Sequence, residues 1–227
     1  MEYVEIARAE TERGELVLRE RRDDTAPSVI ELRANGVFVM DTLETSTEQA
    51  LAEAALAQVA DPKAVAVGGL GLGFTMHAVL ADSRVEKCAV VEIEQALADW
   101  MRDGTIPHGP AMLADERVRI VVADIAVAID EAPPASYDLV LLDVDNGPGY
   151  LVHEANAALY REPFLRAARA VLRPGGALAI WSAAEAPELV ETLDAVFDSA
   201  EGHRHDVLLQ DRDEEYWLYV ARVTSET

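Results

Sequence analysis

The sequence is poor in cysteine, in lysine and in long apolar runs. Its single cysteine, Cys88, excludes an internal disulfide and lies in an apolar run that predicts a buried core thiol. No apolar run approaches the roughly 20 residues that a helix needs to cross a bilayer. The acidic residues 1–5 do not have the basic region and apolar stretch of a secretory signal peptide. We therefore expect a cytoplasmic protein.

Basic residues are scarce as well. The 19 Lys and Arg residues are outnumbered by 42 Asp and Glu residues, which gives 227 residues a formal net charge of −23. Such a surface repels phosphate backbones and anionic lipid, so we expect no nucleic-acid partner and no membrane partner. The same charge would attract a small cationic molecule; acidity that serves solubility alone is the alternative.

Residues 1–45 are predicted to form β-hairpins. Apolar and polar residues alternate over 15–19, and two apolar runs flank Asn35-Gly36, the pair most favoured in tight hairpin turns because both positions take positive φ. From residue 46 onward a helix is followed by strands and helices in alternation. We expect two units, an N-terminal β-hairpin region over 1–45 and a Rossmann-like, cofactor-binding catalytic domain over 46–227.

Near-continuous apolar strands that alternate with helices are typical of a parallel sheet covered on both faces. Five such strands are predicted at 64–67, 88–92, 118–122, 137–142 and 177–181. A helix is predicted over 157–172, and two further strands, at 206–209 and 216–220, predict an antiparallel hairpin at the sheet's edge. The predicted fold class is α/β, a doubly wound, mostly parallel seven-stranded sheet with a small N-terminal β-hairpin appendage.

A doubly wound sheet binds its ligand at the carboxyl ends of its strands, near the point where strand order reverses. The first predicted strand is followed by Gly69, Gly71 and Gly73, spaced two apart, which allow a tight turn and close approach of a ligand to main-chain amides. A dinucleotide fingerprint would need another glycine where Phe74 stands, which disfavours a NAD-dependent enzyme. The turn instead predicts an adenosyl-cofactor site.

Acidic residues stand at the ends of the next two strands. Glu92 can accept hydrogen bonds from both hydroxyls of a ribose. Asp124 can accept one from an adenine amino group, while apolar neighbours such as Ile93 and Ile125 sandwich the ring. Each acid alone could be a solvent-facing residue at a strand end. Because several neighbouring strands each end in an acidic residue, a nucleoside site is favoured.

The fourth strand is followed by Asp143, Asp145 and Asn146 in a polar, glycine-rich loop. Two carboxylates there suit the binding and deprotonation of an amine, unless either is a simple loop cap. The histidines lack the companion ligands of a metal centre, so no metal site is predicted. Trp181, like the other two tryptophans, is interpreted as a core or interface residue.

These residues resemble the spermidine synthase (polyamine aminopropyltransferase) group of the class I methyltransferase-like superfamily. The matching stretches are 65–80, 90–93, 115–124, 137–143 and 164–176. The N-terminal hairpins and the helix after them are also similar to that family's N-terminal region. The resemblance therefore covers most of the chain.

The resemblance implies a transfer of an aminopropyl group from decarboxylated S-adenosylmethionine to a cationic amine such as putrescine. Asp143 would be the base that prepares the amine, Glu92 would hold the ribose and Asp124 the adenine. It also implies a polyamine-biosynthetic enzyme that forms a homodimer, as is common in the family.

The resemblance further implies substrate contacts for Glu48 and Gln49, together with Asp145 and Asn146. Here the chain departs from the family pattern, since Glu48 stands in place of a usual tyrosine. Gly71 stands where an aspartate usually contacts the aminopropyl or amine end, and Val39 replaces a usual glutamine. Two alternatives follow: a methyltransferase that uses intact S-adenosylmethionine on the same scaffold, and a catalytically silent nucleoside-binding homologue.

Overall fold

The computed structural model describes residues 2–23, 26–144, 147–149, 151, 153–209 and 212–225. Its N-terminal part is a four-stranded antiparallel sheet in the order β1-β2-β3-β4. The strands are β1 (Glu2–Thr11), β2 (Gly14–Asp23), β3 (Ala26–Ala34) and β4 (Val37–Asp41). The predicted tight turn is confirmed, since Asn35 and Gly36 between β3 and β4 have φ of 52° and 77°.

A second sheet of seven strands forms the main body, with the order β10-β11-β9-β8-β5-β6-β7. Its strands are β5 (Ala64–Gly68), β6 (Lys87–Glu92), β7 (Val118–Val122), β8 (Tyr137–Leu142), β9 (Leu172–Ser182), β10 (Ser199–Leu209) and β11 (Arg212–Arg222). β5 to β9 pair in parallel, whereas β11 is antiparallel to both β9 and β10. The doubly wound, mostly parallel sheet and its antiparallel edge hairpin are therefore confirmed.

Helices join the strands and cover the second sheet. They are α1 (Ser46–Leu56), α2 (Phe74–Ala81), α3 (Gln95–Asp103), α4 (Gly109–Leu113), α5 (Ile125–Glu131), α6 (Glu162–Val171) and α7 (Pro187–Val196). The continuous helix expected over 157–172 is wrong. A 3₁₀ helix, Glu154–Tyr160, is followed by a separate α6, because Pro163 can start a helix but cannot donate a hydrogen bond inside one.

The seven-stranded sheet buries side chains on both faces, as alternation along its strands requires. Val65 and Val67 of β5 point into one apolar cluster, and Ala66 points into the other. The first cluster also contains Leu18 and Leu32 of the N-terminal sheet. The two sheets thus share a core, which holds the N-terminal sheet against the carboxyl ends of the parallel strands.

No helix among the described residues is both long enough and apolar enough to cross a membrane.

Candidate active site

A cavity of about 240 Å³ opens at the carboxyl ends of β5, β6 and β8, where the strand order reverses. The N-terminal sheet and the Glu154–Tyr160 helix complete its walls. We refer to the part lined by Glu92, Ile93, Asp124 and Ile125 as the Glu92 end. The part lined by Glu48, Asp143, Trp181 and Tyr216 is the Asp143 end.

The glycine turn lies between the two ends. All three glycines have positive φ, 94° at Gly69, 49° at Gly71 and 88° at Gly73. Added Cβ atoms would meet the backbone oxygen of Asp143, the Met40 sulfur at 2.6 Å and Met101 at 2.8 Å, respectively. Gly69 and Gly71 line the cavity, whereas Gly73 caps α2 outside the lining. The glycines are thus required by the turn itself and by the close packing around it.

Glu92 is buried, with 6% of its surface exposed, and both carboxylate oxygens are already oriented. Oε2 accepts from the backbone N–H of Leu70 at 2.9 Å, and Oε1 accepts from that of Glu94 at 2.8 Å. Burial raises the pKa of Glu92, while these N–H donors oppose that shift. Each oxygen retains a further lone pair, which is what two ribose hydroxyls need.

Asp124 caps helix α5. Its Oδ1 accepts from the backbone N–H of Ala126 at 2.8 Å, and the exposed side chain leaves Oδ2 available to a ligand. Ile93 and Ile125 line the same end of the cavity, and Leu159 of the 3₁₀ helix adds a third apolar side chain. The Glu92 end therefore brings together every predicted nucleoside-binding side chain.

Arg13 closes this end from the N-terminal sheet. It lies in the turn between β1 and β2, where its Nη2 donates to Asn156 Oδ1 at 3.2 Å. Its Nε lies 3.7 Å from Glu94 Oε1, and Thr11 Oγ1 donates to the same oxygen at 3.3 Å. The guanidinium therefore links two walls of the cavity beside Glu92.

Asp143 is held at the end of β8 by two contacts. Its backbone N–H donates to the carbonyl of Gly68 at 2.8 Å, and its Oδ2 accepts from Thr75 Oγ1 at 2.6 Å. Removal from water raises the pKa of Asp143, and the Thr75 hydrogen bond opposes that shift. A carboxylate so placed gains more from a cationic ligand than an exposed one does.

Glu48, on α1, shares the Asp143 end. Only 9% of its surface is exposed, and its Oε2 accepts from Thr47 Oγ1 at 2.5 Å. Burial, and then the negative charge of Asp143, raise the pKa of Glu48 to about 7. The two carboxylates repel each other, so an ammonium group bound there would relieve that repulsion.

The remaining predicted substrate residues lie elsewhere. Gln49 is exposed, donates from Nε2 to Thr45 Oγ1 at 3.0 Å and lines a separate depression next to α2. Asp145 and Asn146 lie outside the described residues. Within the described ranges, no group of three His, Cys, Asp or Glu residues is placed to hold a metal ion.

Several residues in the cavity lining or directly behind it were missed by the sequence interpretation. Thr75 orients Asp143, and Met40 packs against Gly71. Trp181 is buried as expected of a core residue, but it also lines the cavity, where its ring stacks on Tyr216. Trp181 could have been found, because it lies near the carboxyl end of β9, where the strand-end rule applies.

The spermine/spermidine synthase domain model matches residues 44–196, two thirds of the chain. The chain belongs to the spermine/spermidine synthase family. It is 32% identical to putrescine N-methyltransferase 3 of Nicotiana tabacum over 123 residues, which cover 53% of this chain and 30% of that enzyme. It is 27% identical to polyamine aminopropyltransferase 2 of Pseudomonas aeruginosa over 175 residues, 72% of this chain and 48% of the enzyme. The aligned stretch thus spans less than half of the length of these relatives.

Solved structures agree on the fold. A spermidine synthase in complex with the transition-state analogue AdoDATO superposes with a TM-score of 0.81 at 18% identity, covering 98% of this chain and 74% of that one. Human methyltransferase-like protein 13 in complex with SAH gives a TM-score of 0.59 at 20% identity, covering 80% of this chain and 84% of that one. The architecture is that of spermidine synthases and methyltransferases.

Proposed function

We propose that this protein transfers an aminopropyl group from decarboxylated S-adenosylmethionine to a small cationic amine, with Asp143 as the proton acceptor. The observation that carries the proposal is one cavity with two chemically different ends. The Glu92 end offers a nucleoside-binding set, and the Asp143 end offers two interacting, desolvated carboxylates. Membership of the spermine/spermidine synthase family supports the same reading.

The Glu92 end fits an adenosyl group. Glu92 would accept from the ribose hydroxyls and Asp124 from the adenine amino group, with Ile93 and Ile125 flanking the ring. Because Gly69 and Gly71 have no side chains, the ligand can pass close to the turn between the two ends of the cavity. When bound, the sulfonium of the co-substrate makes its attached carbons electrophilic.

At the Asp143 end, Glu48 and Asp143 would hold the acceptor as an ammonium ion. The amine reacts after its proton passes to Asp143. A bond then forms between the amine nitrogen and the aminopropyl methylene carbon on sulfur. The bond between that carbon and sulfur breaks, its electron pair stays on sulfur, and methylthioadenosine leaves. The protein positions both partners and takes up one proton. Asp145 and Asn146 remain predicted contacts of the amine.

The test is the release of methylthioadenosine from decarboxylated S-adenosylmethionine in the presence of a panel of amines. We expect amine-dependent release by the purified protein. If methylthioadenosine never exceeds the amine-free level, aminopropyl transfer is excluded, and a nucleoside-binding homologue without activity becomes the better description.

Methyl transfer from intact S-adenosylmethionine is a second candidate, and the packing of Met40 against Gly71 favours it. Where the family usually places a carboxylate, the cavity presents a glycine covered by a thioether, so no charge at that position would repel the cofactor's own carboxylate. The similarity to putrescine N-methyltransferases points the same way. Calorimetry with both cofactors separates the candidates, because tighter binding of the carboxylated form would favour methyl transfer.

We further propose that the protein acts in the cytoplasm as a homodimer, with the N-terminal sheet as its contact surface. The exposed side chains of Tyr3, Ile6 and Val37 on that sheet support it as the contact surface of the dimer. Light scattering coupled to gel filtration measures the assembly. A single 24.7 kDa species at micromolar concentration would contradict it.

A further inference from the structure

The Asp143 end of the cavity combines one acidic site with mostly apolar walls. The N-terminal sheet contributes Leu32, Val39 and Met40 to the lining. Other acidic residues described in the lining, such as Glu92 and Asp124, belong to the Glu92 end. Among the described residues, the acidic charge at the Asp143 end is therefore confined to the pair of Glu48 and Asp143.

The remaining wall is an aromatic stack. The rings of Trp181 and Tyr216 lie 5.1 Å apart between centroids with an interplanar angle of 16°. Trp181 is 7% exposed, and the His205 ring lies 6.2 Å from it, so the stack is held in place. Stacked aromatic faces bind alkyl and aryl groups through contact area and ring geometry.

Tyr216 adds a neutral phenol to this wall. Burial, followed by the negative charges of Glu214 and Glu48, raises the pKa of Tyr216, so its hydroxyl stays protonated. The negative charge of Glu44 also raises the pKa of Tyr216, but Glu44, like Glu214, does not line the cavity. These two acids therefore strengthen the negative field around the stack without offering a direct contact to a second ammonium group.

We propose that the acceptor is a monoamine with an apolar alkyl or aryl arm, its ammonium group on Glu48 and Asp143 and its arm between the Trp181–Tyr216 stack and Val39. This inference rests on the proposed function and specifies its substrate class. Among the described lining residues, a linear diamine finds no carboxylate beyond Glu48 and Asp143 at this end and would place its second charge against apolar walls. A desolvated charge without a partner is costly, so the monoamine is expected to bind more tightly.

Calorimetry in the presence of methylthioadenosine tests this preference independently of turnover. The titrants are n-pentylamine and 2-phenylethylamine, compared with 1,4-diaminobutane and 1,5-diaminopentane. We expect the monoamines to bind at least about tenfold more tightly than the diamines. Equal or tighter binding of the diamines, or no binding of any amine, would overturn the inference. Amine binding without any transfer would instead count against the proposed function alone.

A gain-of-charge variant sharpens the test. Val39→Glu places a second carboxylate on the apolar wall, and it should shift the diamine-to-monoamine affinity ratio by about tenfold toward the diamines. Val127→Glu is the control, since Val127 is an exposed valine on α5 and does not line the cavity. An unchanged ratio in Val39→Glu, with methylthioadenosine binding retained, would contradict the assignment of this wall.

Discussion

The two ends of the cavity are built in different ways. At the Glu92 end the polar side chains lie at or just after the ends of parallel strands and are oriented by backbone N–H groups, as Glu92 is by Leu70. At the Asp143 end, side chains from α1, β9 and β11 converge on Asp143, which Thr75 of α2 orients. The first end depends on local chain geometry, whereas the second depends on packing between distant segments.

This difference has a functional consequence. Backbone-oriented carboxylates tolerate change around them, so the Glu92 end suits a ligand common to many related proteins. The Asp143 end can be changed by single substitutions on separate elements, as Glu48, Met40 and Trp181 illustrate. We therefore expect cofactor affinity and acceptor choice to respond independently to mutation, and four mutagenesis experiments probe the two ends.

The largest effect is expected from Asp143→Asn. An amide cannot accept the amine's proton, so kcat should fall about a thousandfold while methylthioadenosine binding is retained. Rate and affinity are measured separately, by product release and by calorimetry. Glu44→Gln, outside the cavity lining, serves as the control and should stay close to the wild-type rate. An unaffected rate in Asp143→Asn would remove Asp143 from the reaction.

Glu48→Gln should change how stability depends on pH. The pKa of Glu48 is about 7 in the folded protein, compared with 4.5 when the side chain is exposed in the unfolded chain. Between these two pH values the folded state therefore holds a proton that the unfolded chain has lost. Wild-type stability therefore falls as pH rises from about 4.5 to about 7, relative to the variant, by about 3 kcal/mol. Denaturant unfolding at a series of pH values measures the divergence.

The control for this experiment is Glu53→Gln, on the exposed side of the same helix. Its stability should follow that of the wild type across the pH series because its side chain is in solvent. Parallel curves for Glu48→Gln and wild type would mean that Glu48 is not buried next to Asp143.

Glu92→Gln should weaken nucleoside binding without altering acceptor preference. The variant loses charged acceptors for two backbone N–H groups and for the ribose, which corresponds to a rise in Kd of about tenfold to a hundredfold. Asp124→Asn should cost less, because that side chain is exposed. Calorimetry with methylthioadenosine compares them, and a larger loss in Asp124→Asn would reverse the roles assigned to the two acids.

The smallest effect is expected from Gly71→Asp, which adds a charge beside Met40. Combined with Met40→Ala to make room, it should lower the affinity for S-adenosylmethionine relative to its decarboxylated form by about fivefold. Gly36→Asp is a matched control, since Gly36 also has positive φ but has open space around it and lies outside the cavity lining. An unaltered ratio in the double variant would place the cofactor's carboxylate away from Gly71.

The sequence by itself determined the parts of this protein that depend on neighbouring residues. Apolar periodicity predicted the parallel strands, and the strand-end rule located Glu92, Asp124 and Asp143 at one edge of the sheet. Asn35-Gly36 predicted its turn because φ is a local property. Pro163 marks the start of α6 because a proline cannot donate a hydrogen bond inside a helix, so one continuous helix over 157–172 was excluded by a local signal.

Only the tertiary structure decided what faces the ligand from separate segments. Successive helix residues point about 100° apart, and the docking of α1 turns Glu48 into the cavity and leaves Gln49 outside it. The same docking of distant elements brings Met40 against Gly71 and stacks Trp181 on Tyr216. Such contacts join residues 31 or more positions apart, and their geometry follows from how whole elements pack, which no local pattern records.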